Sequence, residues 1–95
     1  MQRLVTYIGF AIKSNSIIKG LDEISKTKKR QFVLLVAEDI SQNSKEKIQN
    51  ISNNKNIPLV TVDKDLFLQL NLVGVKILGI TDPNLAKAIL AVNEK

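Results

Sequence analysis

Apolar positions change their spacing several times along the chain, and each change marks an element. Leu4, Val5, Ile8, Ala11 and Ile12 recur at helical spacing. They predict an amphipathic helix from Arg3 to about Ser14, with Asn15 as its stop. Ser16–Lys19 is too short for a helix and suits a brief strand. A second helix is expected from Gly20 to about Lys28, with Leu21 and Ile24 facing inward. Lys28, Lys29 and Arg30 close it, where positive charge suits a helix C-terminus. Phe32–Ala37 is an unbroken apolar run ended by Glu38 and Asp39. A strand with no polar alternation is buried on both faces and needs helices on both sides of its sheet.

The second half continues the alternation. Asn43 with Glu46 three residues later forms a capping-box pattern. A polar helix should run from there to about Asn54, showing only Ile48 and Ile51 to the core. Pro58–Val62 is the next strand. Asp63 can cap a short helix that buries Leu66, Phe67 and Leu70. Val73, Gly74, Val75 and Lys76 turn into the strand Ile77–Ile80. Asp82-Pro83 starts the last helix with a capping carboxylate and a proline at the first helical position. Leu85, Ala86, Ile89 and Leu90 form its buried stripe. Helices alternating with strands, one strand buried on both faces, predict an α/β fold. The expected architecture is a three-layer α/β/α sandwich around a small mixed sheet.

Composition narrows the function. The 95 residues fit one domain, residues 1–95. With 44% hydrophobic and 4% aromatic residues, the core is small and built from Ile, Leu and Val. The chain has no cysteine and no histidine. That removes disulfides, thiolate zinc sites, cysteine nucleophiles, the usual general base near neutral pH and the commonest metal ligand. We therefore expect a protein that is not an enzyme and takes no cofactor. No signal-peptide pattern or transmembrane-length apolar run is present, so a soluble cytoplasmic protein with no membrane partner is expected. The net charge is +5. Lys13–Arg30 alone carries +4, from six cations and two carboxylates. Such concentration points to a polyanion partner, although a solvated helix end with a lysine-rich loop has the same composition.

Several segments, in order, resemble one family. Ile8-Gly9-Phe10-Ala11, Val33–Asp39, Ile57-Pro58 with its strand, and Ile80-Thr81-Asp82-Pro83 followed by Leu85–Ile89 resemble bacterial YlxQ-like proteins. These belong to the superfamily of the archaeal kink-turn-binding ribosomal protein. The resemblance covers nearly the whole chain. It implies binding of RNA kink-turns or related guanine-rich internal loops. The family signature is a glycine, a variable residue, Asn-Glu, two variable residues and a lysine, at the start of the second helix. Here that stretch reads Gly20, Leu21, Asp22, Glu23, Ile24, Ser25, Lys26. Glycine, glutamate and lysine match, and Asp22 stands in place of the asparagine.

The chemistry implied is specific. Backbone amides at Gly20 and Leu21 would cradle a phosphate at a helix N-terminus. Glu23 would accept from guanine N–H groups, and Lys26 would donate to guanine O6 or N7 or to a phosphate. Lys19, Lys28, Lys29 and Arg30 would add sequence-independent attraction. By position, the family's remaining contacts fall on Glu38, Asp39 and Ile40, and on Val73, Gly74, Val75 and Lys76. Asp22 changes the chemistry, because an ionised Asp only accepts hydrogen bonds. It implies weaker kink-turn binding or a related target. Structured RNA, including ribosomal RNA, and ribosomal proteins are the expected partners.

Three other readings use the same residues. Asp22 and Lys26 are also spaced as an ordinary i,i+4 helix pair, worth about 0.3 kcal/mol. Glu38, Asp39, Asp63 and Asp82 all follow strands and would make a magnesium site for phosphoryl transfer if three of them converged. A protein-interaction or ribosome-assembly module without sequence-specific RNA reading is the third, and Asp22 is the feature that keeps it open.

Overall fold

The apolar run Val33–Ala37 forms the central strand, and every residue in it is buried. The computed structural model describes residues 2–93. Its elements are α1 (Gln2–Lys13), β1 (Ile17–Lys19), α2 (Leu21–Lys26), β2 (Val33–Ala37), α3 (Gln42–Lys55), β3 (Leu59–Val62), α4 (Lys64–Gln69), β4 (Ile77–Ile80) and α5 (Pro83–Asn93). The sheet order is β1-β4-β2-β3. β2 pairs in parallel with β3 and antiparallel with β4, and β4 pairs antiparallel with β1.

Because side chains alternate across a strand, β2 serves two cores. Val33, Leu35 and Ala37 pack with Ile8, Ala11, Leu66, Phe67, Ala86 and Ile89, which come from α1, α4 and α5. Leu34 and Val36 pack with Ile24 of α2 and Ile48 of α3. The result is the expected three-layer α/β/α sandwich with a mixed sheet.

Two helix ends differ from expectation. α2 stops at Lys26, and Thr27 is extended at φ −67°, ψ 145°. The Lys29 N–H donates to Thr27 Oγ1 at 3.2 Å, a local bond that competes with continuing the helix. Lys28, Lys29 and Arg30 therefore lie in a loop, outside any helical last turn. α3 is capped by Ser41, whose Oγ accepts from the Ser44 N–H at 3.2 Å. Asn43 is already inside the helix. Asp63 and Asp82 cap α4 and α5 as expected, accepting from Asp65 N–H at 2.9 Å and Asn84 N–H at 2.8 Å.

The mixed topology separates the carboxylates. β2 and β3 run the same way and deliver Glu38, Asp39 and Asp63 to one edge of the sheet. β4 runs against them and delivers Asp82 to the other. Among the described residues no three Asp or Glu side chains gather at metal-binding range, so the geometry required of the magnesium reading is not formed.

Candidate nucleic-acid interface

Gly20 makes the corner between β1 and α2. Its φ of 89° and ψ of 153° fall in a region essentially reserved for glycine. A Cβ there would meet no heavy atom within 4 Å, so the requirement is conformational rather than one of space. The Gly20 N–H donates to the Ile77 carbonyl at 3.0 Å, and its carbonyl accepts from the Ile24 N–H at 3.1 Å. The corner thus ties α2 to the start of β4. Gly20→Ala is expected to cost about 1–3 kcal/mol. A thermal melt should then fall by roughly 5–20 °C.

The same tie brings two loops together. Lys19, Gly20 and Leu21 face Gly74, Val75 and Lys76 across a cleft of ≈ 270 Å³, closed on one side by Ser44 of α3. Gly74, at φ 80°, makes the second turn. A neighbouring cleft of ≈ 240 Å³ continues from Gly74–Lys76 to Asp39, Lys64 and Leu68. Val73 stands at the turn 81% exposed, an apolar side chain presented to solvent rather than absorbed into the core.

Lys76 and Asp39 join the two loops. Lys76 Nζ donates to Asp39 Oδ2 at 2.7 Å. The Ala37 N–H donates to the Lys76 carbonyl at 2.8 Å. The hydrogen bond from Lys76, aided by its charge, holds the Asp39 carboxyl below its usual value of 3.8. A carboxyl depressed in the fold adds stability above its unfolded pKa, and that stability is lost as pH falls through the lower folded value. Carboxyl-detected NMR titration is expected to show Asp39 below 3.8 and Lys76→Met to move it back up.

Asp22, Glu23 and Lys26 project from α2, all exposed. Among the described residues the only ion pair within 4.0 Å is Lys76–Asp39, so the Asp22–Lys26 helix pair is not formed. Glu38 continues the β2–β3 pairing through its N–H to the Val62 carbonyl, 2.9 Å. Its side chain lines a narrow cleft with Ile40, Lys45 and Thr61. Ile40 is half-buried between the two cores and shapes the edge from beneath.

Lys28, Lys29 and Arg30 are elsewhere. The Phe32 N–H donates to the Ile80 carbonyl at 2.7 Å, which fixes the α2–β2 loop at the far edge of the sheet. Five residues of β2 separate the two edges, about 17 Å of strand. Spacing along the sequence also missed residues that line this end, among them Ser44, Lys45, Lys64, Asp65 and Leu68. Leu68 is 58% exposed. Its neighbours Leu66 and Phe67 take the buried positions of α4, which was the available signal that Leu68 points outward.

Comparisons with known proteins agree with this architecture. A Bacillus halodurans protein with unknown function superposes with a TM-score of 0.86 at 13% identity, covering 98% of each chain. The Giardia lamblia 15.5kD RNA binding protein superposes with a TM-score of 0.75 at 16% identity, covering 98% of this chain and 86% of its own. At these identities the likeness is one of fold. No curated protein matches the chain. The family model described as ribosomal protein L7Ae/L30e/S12e/Gadd45 matches residues 2–89, and the chain therefore belongs to that family.

Proposed function

We propose that this protein binds structured RNA, a kink-turn or a related guanine-rich internal loop, at the sheet edge that carries Gly20 and Lys76, and that it acts by binding rather than catalysis. One observation carries the reading. The β1–α2 corner, the β2–α3 loop and the α4–β4 loop meet around adjoining clefts, and the helix that starts at that corner carries exposed Glu23 and Lys26. These are the three segments that the resemblance assigns to RNA. Family membership and a structural neighbour described as an RNA binding protein support it. No helix among the described residues is long and apolar enough to cross a membrane.

RNA is read where it leaves the regular duplex, because the A-form major groove is too narrow for side chains. Backbone at Gly20 and Leu21 would hold the strand where it bends. Glu23 would accept from guanine and Lys26 would donate. Val73 would pack against an unstacked base. A ribosomal or translation-associated RNA is the natural class of target for such a domain.

The test is binding to a kink-turn RNA and to the same RNA with its tandem G·A pairs replaced, across a salt series. Loss of tight binding on replacement is the expected result. Equal binding to both, falling steeply with salt, would reduce the interaction to charge. Absence of binding to either would favour the protein-interaction reading, for which the acceptor-only Asp22 is the specific observation.

A further inference from the structure

A cavity of ≈ 560 Å³ lies at the far edge of the sheet, where the α2–β2 loop meets the end of α3. Four cations line it: Lys28, Lys29, Arg30 and Lys55. No carboxylate lines it, and none of these cations is in an ion pair among the described residues. The C-termini of α2 and α3 point the same way and offset part of this charge, each as roughly half a negative charge. Net positive charge remains after both are counted.

Gln31 lies in the wall of this cavity. It is the one buried polar side chain among the described residues, 2% exposed. Its Nε2 donates to the Lys29 carbonyl at 3.0 Å, while Oε1 is buried with no hydrogen-bond partner. A buried acceptor without a donor is costly and calls for a reason. The side chain is also seated deliberately: a Cβ on Gly79 would come within 2.8 Å of Gln31 Cγ, so the glycine in β4 makes its room. Beside it the Arg30 guanidinium lies 5.3 Å from the centre of the Phe32 ring, a flat cationic surface of the kind on which bases stack.

We propose that this cavity is a second RNA subsite, which takes one unpaired nucleotide of a single strand. Lys28, Lys29 and Lys55 hold its phosphate, Arg30 offers a face to the base, and a base N–H donates to Gln31 Oε1. The broad terminal torsion of glutamine allows the amide to turn toward the ligand. α2 links the two sites: its N-cap Gly20 lines the first cleft and its C-cap Thr27 lines this cavity, with six helical residues, about 9 Å, between the caps. A strand leaving the first site along α2 would arrive here. The inference rests on the chain being an RNA binder, and does not depend on kink-turn recognition.

The test is NMR titration of ¹⁵N-labelled protein with a single-stranded RNA trinucleotide, a mononucleotide and inorganic phosphate. The trinucleotide is expected to shift the Gln31 side-chain amide and the Asn56 backbone amide saturably. The Lys29→Ala/Lys55→Ala double variant should weaken this at least tenfold. Glu23→Ala, which acts at the other edge, should leave it unchanged, so failure of the kink-turn reading and failure of this one are separable. Tighter binding of the trinucleotide than of the mononucleotide assigns the source to a strand, and the reverse order overturns RNA as that source. Shifts confined to the lysines with phosphate and RNA alike, or a Gln31 amide that never moves, would overturn the subsite.

Discussion

Replacing Ile24 with alanine is expected to lower stability by about 3 kcal/mol and, in addition, to remove structured-RNA binding. Ile24 is fully buried and is the only fully buried residue of α2. It packs against Leu34, Val36 and Ile48. α2 has six residues, too few to be stable as a helix without tertiary packing. No side chain caps its N-terminus. Its position therefore depends on Ile24, on half-buried Leu21 and on the Gly20–Ile77 hydrogen bond. A domain of this size loses roughly 4–8 °C of melting temperature per kcal/mol, so a drop of roughly 12–24 °C is expected. Val60→Ala provides the control, since Val60 is also buried, at 4% exposure, but belongs to the core on the α1, α4 and α5 side. At a temperature where both variants are folded, Val60→Ala should retain RNA binding and Ile24→Ala should not. Equal binding by the two would show that α2 does not position the site.

Glu23→Ala is expected to erase discrimination between a kink-turn and its G·A-replaced counterpart, a loss of about 10–100-fold on the preferred RNA, as follows when one well-made base contact is removed. Glu23 is exposed and unpaired with any cation among the described residues, so its removal leaves the fold intact and the change is one of recognition. The salt slope should stay nearly the same, because no phosphate-binding cation has been lost. Lys29→Ala makes the useful contrast. It lies at the other edge, and its loss should weaken both RNAs about equally and lower the salt slope by about 1. If discrimination survives Glu23→Ala, Glu23 does not read guanine and the site must be assigned anew.

Much of this molecule was legible in one dimension. The order of elements, the doubly buried strand and the caps at Asp63 and Asp82 follow from local patterns, and each holds in three dimensions. Helix ends were less so. Thr27 and Ser41 decided them through single side-chain bonds of about 3.2 Å, and neighbouring Lys28 and Asn43 offered plausible ends of their own.

The site divides in the same manner. The spacing of Gly20, Glu23 and Lys26 is a property of the chain, because residues three and four apart share a helix face wherever that helix is placed. The meeting of Gly20 with Gly74–Lys76 and of Lys76 with Asp39 is not, since 54 and 37 positions separate those partners along the chain and only strand pairing brings them together. Direction decided the rest. Nothing in the apolar pattern of the strands gave their direction, and β4 runs against β2. That reversal carries Asp82 away from Asp39 and Asp63. The exit of α2 at the opposite edge carries Lys28, Lys29 and Arg30 away from Gly20. Sequence determined which residues could do the chemistry, through local periodicity and side-chain type. Tertiary structure decided which of them share a surface, because strand order and direction are set by long-range packing that no local pattern encodes.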